Sequence, residues 1–167
     1  MKANGSIYVS VVLAALVAYF SYQWWFNPQR AIKRQLGELA ATLSVPAEGA
    51  SGEAHLARAA RLRHYIAADT RVQMGPSGPS FASGDEIVQA FGVWTPPPGG
   101  LDVEFVDVQI ALVSSVAARA FLTVELVGRD TRTGELARET REVRVSLEKR
   151  DGDWVVMKAE AAGPSAR

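Results

Sequence analysis

Between Lys2 and Arg30 the chain carries no charged residue, and the stretch SIYVSVVLAALVAYFSYQWWF over 6–26 is apolar for most of its length. At ~1.5 Å per residue, a helix of that length reaches roughly 30 Å, the thickness of a hydrocarbon core. A buried core helix would be shorter and apolar on one face, so this run is expected to cross a lipid bilayer. Tyr19, Tyr22, Trp24 and Trp25 crowd its end, where amphipathic rings favour the headgroup layer. Lys2 ahead of an apolar run also opens secretory signals, but the bulky residues around Trp24 and Phe26 offer no A-x-A-like cleavage site. The expected element is an uncleaved signal anchor, residues 1–27, with the bilayer as partner through residues 6–26. Two features compete over sidedness. Arg30, Lys33 and Arg34 favour a cytoplasmic domain, whereas the short leader carrying Lys2 favours export. The leader is given more weight, so the soluble domain is expected outside, in the periplasm, with the cytoplasmic face as the alternative.

Asn27 and Pro28 predict a fresh helix start, Asn as N-cap and Pro at the first helical position. Ile32, Leu36, Leu39 and Leu43 then form one apolar stripe. Residues 28–52 are expected as a juxtamembrane helix and loop, the loop being VPAEGASG. A second helix is expected over 53–68, with Leu56, Ala59, Leu62 and Ile66 on one face. A short strand follows over 69–74. Ser83 and Glu86 form a capping box for a helix that should stop near Val93, ahead of Pro96, Pro97 and Pro98.

Beyond residue 100 the apolar period changes from helical to alternating. Val103 and Phe105 have one parity, while Val106, Val108, Ile110 and Leu112 have the other, which predicts a bulge near Phe105. Ala118, Ala120, Leu122, Val124 and Leu126 alternate in a second strand, and Val143, Val145 and Leu147 in a third, with GRDTRTGE as the turn between them. Asp151 and Gly152 mark a hairpin into a last strand. Helices first and strands afterwards give an α+β domain, residues 53–160, closed by a flexible tail over 161–167.

With 18 basic and 18 acidic residues the formal charge is zero, which argues against nucleic acid as a partner. The chain has no cysteine, so thiolate metal sites and thiol nucleophiles are excluded. Neither a dinucleotide or phosphate-binding glycine loop, nor HExxH, nor G-x-S-x-G occurs. His55 and His64 are nine residues apart, face opposite ways on one helix, and read as surface or helix-end residues. Asp85 with Glu86 reads as a helix cap and Asp151 with Asp153 as a turn. Asp102, Glu104 and Asp107 cluster at a strand start, where a cation is conceivable, but no ligand spacing supports one. No metal or other cofactor is expected.

YIAADTRVQM, FASGDEIVQAF and the closing LEKRDGDWVVMKAE together resemble the nuclear-transport-factor-2-like superfamily, which includes ketosteroid isomerase, scytalone dehydratase and polyketide-cyclase-like proteins. The resemblance implies a cone of helices packed on a curved antiparallel sheet, over roughly residues 30–160. It implies a ligand pocket at the open end, drawing on Tyr65, Met74, Phe81, Phe91, Trp94, Phe105, Phe121 and Trp154; filling of an ordinary core is the alternative use of these residues. The isomerase branch uses a carboxylate base and a Tyr–Asp oxyanion hole. The base position falls near Gln73 and Met74, which cannot take up a proton, and no Tyr lies between Asn27 and His64. The uncleaved span, the alternating sheet with one polar face and the missing catalytic groups point to a membrane-anchored, non-catalytic binding or assembly domain, with a homodimer or a membrane protein as partner. Two alternatives stand beside it: an isomerase- or dehydratase-type enzyme with a relocated acid such as Asp69 or Glu104, and a carrier of apolar ligands.

Overall fold

The computed structural model describes residues 4–25, 27–47, 52–75, 78–129 and 133–161, and in the first helix the side chains of 11–21. Parts of three expected loops, at 48–51, 76–77 and 130–132, lie outside the described residues, as do the tail 162–167 and the side chains of Tyr22, Trp24 and Trp25.

Helix α1 (Asn4–Trp25) is continuous over 22 residues. Every described side chain on it, Val11 and Phe20 among them, is exposed. Among the described residues no helix is long and apolar enough to cross a membrane; in α1 the described side chains are those of 11–21 alone.

Helix α2 (Pro28–Leu43) starts as the sequence predicts. The Asn27 side chain accepts from the Gln29 N–H at 3.0 Å, and Pro28 occupies the first turn. Its stripe of Ile32, Leu36 and Leu39 is buried in the main core against β-strand residues such as Ala120 and Val145. Helix α2 thus shares its core with elements that follow residue 53, because an amphipathic helix must bury its apolar face and the sheet supplies the surface.

Helix α3 (Gly52–Leu62) is shorter than the expected 53–68. After Leu62 the chain turns into strand β1 (Ile66–Gln73), and the Val156 N–H donates to the Tyr65 carbonyl at 2.8 Å. Pairing with the last strand thus overrides the helical period through Ile66. Ala59 and Leu62 are buried as expected, but Leu56 is exposed. Strand β2 (Ser80–Phe81) pairs with β1, and helix α4 (Gly84–Val93) follows. The Ser83 hydroxyl accepts from the Glu86 N–H at 3.2 Å, while the Glu86 carboxylate accepts from the Ala82 N–H at 2.8 Å. Gly84 is buried against β1, where a Cβ would run into the Ala67 carbonyl.

Strands β3 (Leu101–Leu112), β4 (Ala117–Arg129), β5 (Leu136–Arg150) and β6 (Asp153–Ala161) complete a six-stranded sheet in the order β2-β1-β6-β5-β4-β3. The sheet is mixed, not purely antiparallel as expected, because β1 and β6 run parallel. The strand connection that makes them neighbours passes through α4 and the whole β3–β5 meander, and alternation along one strand carries no information about the direction of its partner. The β3 bulge lies between Val106 and Gln109, with Asp107 at φ 52°, two residues beyond the phase change at Phe105. Asp tolerates this left-handed conformation better than a branched residue would. The Asp151–Gly152 hairpin also takes positive φ at both central residues, as tight hairpins require.

Candidate functional site

A cavity of about 320 Å³ lies between the helices and the concave face of the sheet. Its construction follows from periodicity. The C-terminal half of α2 contributes Leu36, Leu39 and Leu43. The inward parity of β3 ahead of the bulge contributes Leu101, Val103 and Phe105, and that of β4 contributes Leu122, Val124 and Leu126. From the other edge come Val72, Met74, Phe81 and Ile87. Met74, Phe81, Ile87 and Leu126 retain partial exposure, so the cavity meets solvent at the end where α2 finishes and β3 begins. Every lining side chain is aliphatic, aromatic or thioether. Such a wall can exclude water and bind apolar surface; among its side chains there is no acid, base or hydroxyl to move a proton.

Of the residues expected around a pocket, Met74, Phe81 and Phe105 line it. Trp154 is buried in the core and Tyr65 packs against that core, neither of them on the cavity wall. Phe91 and Trp94 stack on each other at 6.0 Å away from it, at the junction of α3 with α4. Phe121 points from the outer face of the sheet, half-exposed, with the Arg144 guanidinium 5.3 Å from its ring centre. The parity of β4 explains this: Ala120 and Leu122 point inward, so Phe121 must point out. The wall is mostly aliphatic, and the sequence signal for those residues is their inward parity, which aromatic character does not report.

The titratable groups lie elsewhere. Asp69 forms two hydrogen bonds with Arg150, at 2.9 and 3.2 Å, and the guanidinium holds its carboxyl below the usual carboxylate range. Lys158, 2.6 Å away, does the same for Glu160. Glu104 is exposed. Asp102 accepts from the Ser44 hydroxyl at 3.3 Å, and among the described residues no group of three acids or histidines could hold a metal ion. His64 is exposed, but His55 is buried, contrary to the surface placement expected for it. Its Nε2 lies 2.6 Å from the Phe91 carbonyl oxygen and its ring 4.9 Å from the Phe91 ring, so it ties α3 to α4 as a core residue.

No protein-family profile matches the chain, and no curated protein does. Solved structures match its fold. An NTF2-like protein with a cystatin-like fold from Novosphingobium aromaticivorans is 12% identical, with 91% of this chain and 92% of that one covered and a TM-score of 0.66. A type 2 hexachlorocyclohexane dehydrochlorinase, LinA, is 12% identical, covering 81% and 84%, with a TM-score of 0.63. The association domain of C. elegans CaMKII is 12% identical, covering 82% and 96%, with a TM-score of 0.59. At these identities the likeness establishes the fold alone, and chains that share it include an enzyme and an association domain.

Proposed function

We propose that this chain, which has the nuclear-transport-factor-2-like, cystatin-like fold, is a membrane-anchored binding module whose cavity takes a small apolar molecule. One observation carries the reading: a cavity of about 320 Å³ with a wholly apolar wall, at the small end of the range that ligand sites occupy. The relocated-acid enzyme finds no support there, since Asp69 is engaged by Arg150 and Glu104 faces solvent.

The anchor rests on α1. A helix of 22 residues extends about 33 Å, carries no charge and has its apolar residues on no one side, and over 11–21 it exposes them, a surface that water penalises and lipid accepts. On this reading residues 1–27 are the anchor, the packed domain starts at Pro28, and the domain faces the extracytoplasmic side.

The full chain, extracted in mild detergent and examined by native mass spectrometry, is expected to retain a discrete apolar adduct. Val124→Trp, which fills the cavity from β4, should lose it while keeping its circular dichroism. A chain free of adduct, and showing no rise in Tm with added p-xylene, contradicts the reading.

Homo-assembly is a second reading, favoured by the half-exposed Phe121 under Arg144 on the outer face of the sheet. Sizing of Phe121→Glu against the parent chain tests it: an unchanged monomeric mass in both removes it.

A further inference from the structure

The β3–β4 hairpin tip, residues 112–117, reads LVSSVA and carries no charge. Leu112, Val113 and Val116 are 44%, 59% and 51% exposed. An apolar tip held out in water is costly unless something covers it. Two features bear on what does. The first is position. Gln29, in the first turn of α2, donates from Nε2 to the Ile110 carbonyl at 3.4 Å, so the tip lies beside the start of α2, three residues past the end of α1 at Trp25. The cavity opens at the other end of α2. The second is backbone satisfaction. The Val113 and Ser114 N–H groups both donate to the Ala117 carbonyl, at 2.9 and 3.0 Å. The Val116 N–H donates to the Ser114 hydroxyl at 3.2 Å, and the Val116 carbonyl accepts from the Lys149 N–H at 2.8 Å. With these groups paired, the loop enters a weakly polar layer at less cost than one that leaves them bare.

We propose that this tip is a second membrane contact, with Val113 and Val116 seated in the interfacial layer of the bilayer beside the exit of α1; the proposal rests on α1 being the anchor. Arg119 and Lys149, exposed on the flanking strands, then sit at headgroup level, where cations are favoured. The neighbouring Asp151–Gly152 hairpin carries charges of both signs and stays on the aqueous side of that layer. The two contacts fix the domain's tilt and hold the cavity mouth away from the membrane.

Because the chain has no cysteine, single Cys variants of the full chain in phosphatidylcholine–phosphatidylglycerol vesicles can carry a nitroxide at Val113, at Val12 in α1, or at Leu136, an equally apolar exposed residue at the far end of the sheet. Accessibility to oxygen relative to an aqueous nickel chelate reads their depth. The expected result is a ratio at Val113→Cys several times that at Leu136→Cys and below that at Val12→Cys. A Val113 label as nickel-accessible as the Leu136 label, with the Val12 label in lipid, overturns the tip contact and leaves the anchor standing. An aqueous Val12 label overturns the anchor and the tip contact with it. A Val113 label shielded from both probes and broadened by a second spin would assign the tip to another copy of the chain, which also overturns the proposal.

Discussion

Thr70 is fully buried, and its hydroxyl donates to the Val156 carbonyl at 2.6 Å. It does so inside an irregular stretch of the β1–β6 ladder, where the register moves from Ile66/Val156 to Arg71/Lys158. The side chain thus ties β1 to β6 where the paired register is interrupted. Thr70→Val keeps the shape and removes the donor, and is expected to cost about 1–3 kcal/mol, read from the midpoint of urea unfolding. Asp69, next to it, faces solvent and pairs with Arg150. Its carboxyl is held below the ordinary value of 3.8, first by the Arg150 hydrogen bonds. The pair's contribution is therefore in place above that ordinary value and lost as pH falls through the lowered one. Asp69→Asn should be less stable than the parent at pH 7 and indistinguishable from it once the parent's carboxyl is protonated, as unfolding midpoints across an acid series would show. The Ser83–Glu86 cap was legible because capping is local. The burial of His55 was not, since its partner is the Phe91 carbonyl, 36 residues away.

At the scale of elements, the bulge at Asp107 decides which residues the cavity receives. Ahead of it Phe105 faces Val124, and beyond it Ile110 faces Ala120, all four directed inward. Without the extra residue one half of β3 would turn its apolar set outward. Deleting Asp107 is expected to expose Leu101, Val103 and Phe105 or to expel Val108 and Ile110, and in either case to lower stability by several kcal/mol. Loss of the cooperative thermal transition, with strong binding of an apolar dye, would mark that outcome; a native-like Tm would contradict it. The parity switch that announced this bulge was visible in the sequence because β3 is buried on one face only. The end of α3 was not. Helical spacing continues through Ile66, and only the pairing of Tyr65 and Ile66 with Val156 ends the helix.

The whole molecule joins two solutions to the problem of apolar surface. The domain closes its own around α2 and the sheet and keeps an apolar hollow between them, while α1 leaves its described side chains uncovered. Fold class was legible because the change from helical to alternating period is a property of long segments. The parallel β1–β6 pair was not, because strand neighbours are chosen by topology. Residues expected around a pocket differ in how far their positions could be read. Phe105 follows from strand parity, whereas Trp154 and Tyr65 pack in the core beside the cavity, and aromatic character alone does not separate the two. What the molecule does depends most on where α1 resides. Alkaline carbonate extraction of membranes from cells expressing the full chain tests this most directly. The chain is predicted to stay in the membrane pellet at high pH and to leave it only with detergent; its release to the supernatant by carbonate alone, with α1 intact, would contradict the account.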